Sequence, residues 1–262
     1  MHEDVTQWSH VVCEGIDRVR TVDEKTGVTL EPPHVPRVVS LDISSCKAEG
    51  SFPTAPEWFQ PWPSLGKALV FLRTVYLNDN KLEGRSDELP NWSDLKGLVT
   101  LDLSNNRLQG RVDALKLPPS LKVLNLDYNY MKGPINPLWF WSIPKVKVLR
   151  LSGNRLKCSI PKRCWHFMPS LEVLYLAQTD LTGAIPKSLA DSKELQVLDL
   201  SENGELDGEV PRSLLELRRL KILRLVACHR ITDTKRVVES LRDEFDVEVD
   251  IWGAGVPPAP AV

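Results

Sequence analysis

The sequence has no run of about 18 consecutive apolar residues, so it contains no segment able to cross a bilayer as a helix. Cysteine is scarce, at five in 262 residues. That excludes a disulfide-built scaffold, and an odd number leaves at least one thiol without a partner in the chain. Neither sign of charge dominates: Lys and Arg total 33 against 35 Asp and Glu, a net charge of −2 at pH 7. Neither a basic excess nor a basic patch is expected, and with them a nucleic-acid partner is excluded. There is no H-E-x-x-H, no G-x-S-x-G and no phosphate-cradling glycine loop. The five histidines are scattered at 2, 10, 34, 166 and 229. No convergent catalytic set is visible, so no enzyme activity, metal or cofactor is expected.

What the chain does have is self-similarity. Segments reading L-x-x-L-x-L-x-x-N begin at 38, 72, 98, 121, 146, 171, 195 and 220. Leu98, Leu101, Leu103 and Asn106 make one copy, and Leu121, Leu124, Leu126 and Asn129 make the next. Thr179, Cys46 and Cys228 stand at the Asn place of three others. The L-x-L core alternates with period two, which predicts a short strand with one face buried. One such unit cannot bury its Leu face alone, but a stack of them shares one core. The Asn follows the strand, where its amide can serve backbone groups that no strand ladder reaches.

The second half of the repeat is also phrased. Leu181-Thr182-Gly183-Ala184-Ile185-Pro186 reads L-x-G-x-I-P. Phe52-Pro53, Ile160-Pro161 and Val210-Pro211 share its ending, while Gly84, Gly110, Gly133 and Gly208 share its glycine. Glycine there allows a tight turn that a Cβ would crowd. Trp8 and Cys13 fit the opening phrase of an N-terminal cap. Together these features resemble the plant-type leucine-rich repeat. The resemblance implies an α/β repeat solenoid: a right-handed superhelix with a concave parallel β-sheet and short convex helical turns. Four parts are expected. Residues 1–37 form an N-terminal cap with an inserted hairpin, Ile16 to Val22 against Val28 to Leu30. Residues 38–231 hold eight repeats, 232–252 a helix–strand cap capped at Thr232 or Asp233, and 253–262 a flexible tail.

Several side chains invite a chemical reading. Cys158, Cys164 and His166 lie close together, but two cysteines six apart do not match zinc spacing. They read as small half-buried residues, with a local disulfide as the alternative. Trp92, Trp139, Trp141 and Trp165 resemble an aromatic stripe. Trp92 and Trp165 fall where other repeats carry Leu189 and Leu214, which makes the group convex-side core. Trp58, Phe59 and Trp62 sit in an irregular insert, 56–68, and exposed there they would form a partner site. Asn91-Trp92-Ser93 is the chain's one glycosylation sequon, a match expected by chance.

The concave wall is the informative surface. The third, fifth, seventh and eighth residues of each repeat face outward from it, because side chains alternate across a strand. The fifth column runs Asp42, Tyr76, Asp102, Asn125, Arg150, Tyr175, Asp199, Arg224. The eighth includes Asp79, Tyr128, Gln178 and Glu202, and the third becomes aliphatic from Val123 to Ile222. Eight strands at ~4.8 Å span roughly 34 Å, the length of a protein segment rather than a metabolite. A non-catalytic module binding a protein partner is therefore expected. Its contact residues would be Tyr76, Asp102, Asn125, Tyr128, Arg150, Tyr175, Gln178, Asp199, Glu202 and Arg224. A structural subunit of a large assembly and a secreted or surface recognition protein are the alternatives. The chain is expected to be monomeric alone. In the family cap a cysteine stands two residues before the tryptophan; here Thr6 holds that place, so Cys13 lacks its usual partner. All five thiols are then expected free. With the acidic, polar opening MHEDVTQWSH, which does not read as a secretory leader, this points to an intracellular, cytoplasmic location.

Overall fold

The computed structural model describes residues 20–21, 38–51, 72–232 and 234–251. Cys13, all of the expected hairpin except Arg20 and Thr21, the Trp-rich insert, Asp233 and the tail lie outside these. Ten strands form one sheet: β1 (Arg20–Thr21), β2 (Val38–Asp42), β4 (Thr74–Tyr76), β6 (Thr100–Asp102), β8 (Val123–Asn125), β10 (Val148–Arg150), β11 (Val173–Tyr175), β13 (Val197–Asp199), β15 (Ile222–Arg224) and β17 (Glu248–Asp250). They are hydrogen-bonded in chain order. All neighbours are parallel and in register except β1, which runs antiparallel to β2. The middle residue of each strand from β4 to β15 points into the core and is essentially solvent-free. Each such Leu contributes about 1.5–3 kcal/mol by leaving water, but only because a repeat on either side closes over it.

A buried column of asparagines holds the turns beyond the strands. Asn106 Nδ2 donates to Leu77 O (2.9 Å), Leu103 O (3.2 Å) and Ser104 O (3.1 Å), while its Oδ1 accepts from Leu82 N (2.9 Å). Asn80, Asn129, Asn154 and Asn203 repeat the arrangement. Thr179 and Cys228 keep part of it: Thr179 Oγ1 donates to Leu176 O (2.6 Å) and Cys228 Sγ to Leu200 O (3.1 Å).

Two smaller parallel sheets lie beyond the asparagines: β3 (Glu49–Ser51), β5 (Lys81–Arg85), β7 (Arg107–Arg111) and β9 (Tyr130–Lys132), then β12 (Gly183–Ala184), β14 (Leu206–Glu209) and β16 (Arg230–Thr232). At Gly110, φ is +91° and a Cβ would lie 2.4 Å from Ser86 Oγ, so the glycine is a steric requirement. The two sheets are joined only by isolated bridges at Lys132–Arg155 and Ser159–Thr182. The interruption falls in the repeat where Cys158 replaces that glycine.

The convex side carries 3₁₀ turns and one short helix, Pro137–Trp141. Trp92, Trp139, Phe140 and Trp165 are buried there; Trp92, Phe140 and Trp165 stand at the leucine place of their repeats, and Trp139 packs beside Phe140. Trp141 is not: it is 68% exposed. With Trp139 and Phe140 turned inward, Leu138 and Trp141, three apart, share the outward face of the helix. Toward the other end, the helix Thr234–Phe245 buries Val237, Val238 and Leu241, and β17 continues the main sheet. No helix among the described residues is long and apolar enough to cross a membrane.

Among the described cysteines, Cys158, Cys164 and Cys228 are free thiols, so no bond links Cys158 to Cys164. Burial pushes the Cys164 thiol up to about 12 and raises Cys158 and Cys228 in the same direction. The folded chain therefore holds these protons more tightly than the unfolded chain. Stability is unaffected by them below the ordinary thiol value of 9.0 and falls as the pH climbs from there toward 12. In native protein at pH 8, a thiol reagent should leave these three unlabelled and label them at once in denaturant. Their rapid labelling in the native state would contradict the packing.

Candidate functional site: the concave face

The fifth-position residues form one continuous row, because the register aligns Asp42, Tyr76, Asp102, Asn125, Arg150, Tyr175, Asp199 and Arg224 strand by strand. The structure ties them together. Asp102 Oδ2 accepts from Asn125 Nδ2 (2.9 Å), and its Oδ1 accepts from Ser104 Oγ (2.6 Å). Arg150 Nε donates to Asp127 Oδ2 (2.7 Å), whose Oδ1 accepts from Ser152 N (2.7 Å). The Arg150 guanidinium also lies 4.6 Å from the centroid of the Tyr175 ring, a cation–π contact. Arg224 lies 3.7 Å from Asp199.

The ten expected contact residues divide by accessibility. Tyr128, at 54% exposed, stands free with Gln178 and Glu202, which hydrogen-bond to each other. Tyr76, Asp102, Asn125 and Arg150 are half-buried. Tyr175, Asp199 and Arg224 are only 7%, 8% and 9% exposed, because adjacent strands press their side chains into one layer. Burial raises the Tyr175 hydroxyl above its ordinary value, an effect that Arg150 and Arg224 partly offset. Burial likewise raises the Asp127 carboxyl, outweighing Arg150. Tyr175, Asp199 and Arg224 thus form an ordered floor, and the exposed side chains stand on the rim.

Asp127 was not among the expected residues, although it anchors Arg150. It sits at the seventh position, in a column otherwise of Ser, Asn, Ala and Val, and an acid among them is the available signal. The eighth column holds a second feature that the repeat pattern did not reveal. Ser45, Asp79, Asn105, Tyr128, Gly153, Gln178, Glu202 and Ala227 all have φ between +51° and +66°, the left-handed region. The turn fixes the direction of each side chain. Tyr128 in particular lies flat over the next repeat's Gly153, where a Cβ would be 2.5 Å from the ring. Of the other candidates, the sequon asparagine Asn91 is engaged by Ser93 and Asp94. No cluster of three or more His, Cys, Asp or Glu among the described residues could hold a metal.

Comparison with known proteins places this geometry. The leucine-rich-repeat family model matches residues 96–156 and 119–181. The leucine-rich-repeat ectodomain of the plant membrane receptor kinase GASSHO1/SCHENGEN3 from Arabidopsis thaliana, solved with CASPARIAN STRIP INTEGRITY FACTOR 2, shares 30% identity at a TM-score of 0.57. That match covers 72% of this chain and 21% of the ectodomain. The Arabidopsis receptor kinase HAESA, solved with the peptide hormone IDA and the co-receptor SERK1, shares 27% identity at a TM-score of 0.59, covering 84% of this chain and 32% of that one. A plant ice-binding protein at 24% identity and a TM-score of 0.55, with 86% and 63% covered, shows the same fold. The chain therefore spans about a fifth and a third of the two receptor structures. No curated protein matches it by sequence. The repeats are leucine-rich repeats of the plant type, stacked as an α/β leucine-rich-repeat solenoid.

Proposed function

We propose that the chain is a non-catalytic recognition module that binds an extended protein or peptide segment along its concave face. The observation that carries this reading is the continuous, in-register row from Asp42 to Arg224, locked by the Asp127–Arg150–Tyr175 contacts and rimmed by exposed Tyr128, Gln178 and Glu202. A floor already ordered before binding loses little entropy when a partner arrives. The receptor structures similar to it were solved with CASPARIAN STRIP INTEGRITY FACTOR 2 in one case and with the peptide hormone IDA and a co-receptor in the other. Because they are receptor kinases, one of them an ectodomain, they favour a secreted or cell-surface recognition protein and lend no support to the cytoplasmic location expected from the sequence.

Arg150→Ala is a poor probe of binding, since it would leave the buried Asp127 carboxylate uncompensated and destabilise the fold. Tyr128→Ala combined with Gln178→Ala removes only exposed side chains. It should change stability by no more than about 0.5 kcal/mol, yet weaken capture of the partner by about tenfold or more. Quantitative affinity capture with wild type and variant, alongside melting curves, checks this. Unchanged recovery of every partner would favour a structural subunit held by other surfaces.

A further inference from the structure

The near-zero net charge conceals an uneven distribution, contrary to the expectation that no basic patch exists. From Tyr128 to Leu171 the chain carries eight Lys and Arg and not one Asp or Glu. Two of these cations are met from outside the stretch, Lys147 by Glu172 (2.6 Å) and Arg150 by Asp127 (2.7 Å). Lys145, Lys162 and Arg163 are exposed and make no ion pair among the described residues. Lys145 follows the helix that carries Trp141, and Lys162 and Arg163 precede the next convex turn, Trp165–Phe167.

Trp141 and Leu138, at 68% and 63% exposed, project together from the helix Pro137–Trp141. The Trp141 ring lies 6.4 Å from Phe167, which in turn packs 4.0 Å from His166 of the same turn. On the other side of Leu138 a surface groove of about 500 Å³ opens, lined by Leu138, Trp139 and Ser142 and faced by Ser93 and Lys116. Its one carboxylate, Asp113, is already engaged by Arg111 (2.6 Å) and the Asn136 N–H (2.8 Å). The Arg111 guanidinium holds it below the usual carboxylate range.

We propose that this convex patch is a second docking surface, for a protein segment that sets an apolar anchor among Asp and Glu residues. Leu138 and Trp141 grip the anchor at the mouth of the groove. Lys145, Lys162 and Arg163 attract the acids around it. Exposed Trp and Arg are the residue types that most often dominate interface energies, and a one-signed field raises the encounter rate with an opposite charge. A recess lined partly by Asn136 and Ser142 suits a side chain rather than a flat bilayer.

The test is selection of a displayed random-peptide library on the intact chain. Affinities of the selected peptides are then measured by fluorescence anisotropy against wild type, Trp141→Ala and the double variant Lys162→Glu/Arg163→Glu. The altered side chains are exposed, so melting curves should match the wild type. Selected peptides should combine Asp or Glu with Leu or an aromatic residue. Each variant should weaken them by about tenfold or more, and added salt should weaken wild-type binding. Selection without acidic enrichment, or affinities that neither variant moves, would overturn the proposal. So would loss of phosphatidylserine-vesicle binding in the same variants with no acidic peptide selected.

Discussion

Leu126→Asp is expected to unfold the middle of the solenoid. Leu126 is fully buried, its N–H donates to Arg150 O (2.9 Å), and its carbonyl accepts from both Asn129 and Asn154. Truncating a buried Leu costs about 2–5 kcal/mol. A carboxylate at the same place adds the cost of an unpaired buried charge. Domains of this size are stable by about 5–15 kcal/mol in total. Each repeat touches only its neighbours, so losing one severs the stack into two poorly capped halves. Circular dichroism should show a transition that is lost or greatly lowered, and limited proteolysis should cut near this repeat. A melt matching the wild type would mean that the register is wrong.

The register was legible because the repeat writes it eight times over. The leucines, the asparagine column and the glycine at 110 each answer a local need that the residue type declares. What the sequence did not show depends on relations between repeats. Whether Arg150 is available to a partner depends on Asp127, 23 residues earlier, and on the Tyr175 ring one strand later. Reading each column separately made Tyr175, Asp199 and Arg224 look as accessible as Tyr128. Trp92 and Trp165 hold the leucine place of their repeats, but in the repeat of Trp141 that place belongs to Phe140, and one residue of helical rotation turns Trp141 outward. The basic stretch is invisible in the net charge because acids elsewhere cancel it.

Asn154→Leu should produce the second large effect. It keeps the volume of the side chain but removes all of its hydrogen bonds. The Leu151 carbonyl (2.9 Å) loses a donor and Met131 N (2.9 Å) its acceptor, while the Leu126 carbonyl keeps only Asn129 (3.2 Å). Each buried group left unsatisfied costs about 1–3 kcal/mol. A net loss of about 3–5 kcal/mol follows, which at this chain length lowers the melting temperature by roughly 10 °C or more. Asn154→Thr should be milder, since Thr179 fills the same place and still donates to the carbonyl three residues back. Equal melting of the two variants would show that packing, not hydrogen bonding, sets the preference for Asn.

Hydroxyl-radical footprinting of the chain, alone and with a purified partner, tests concave-face recognition most directly. Tyr76 and Tyr128 lie on the concave wall and its rim, and Tyr130, exposed on the back sheet, serves as an internal reference. Binding along the concave face predicts that the partner protects Tyr76 and Tyr128 and leaves Tyr130 oxidising at its free rate. Protection confined to Tyr130, with Tyr76 and Tyr128 unchanged under a saturating partner, would contradict it.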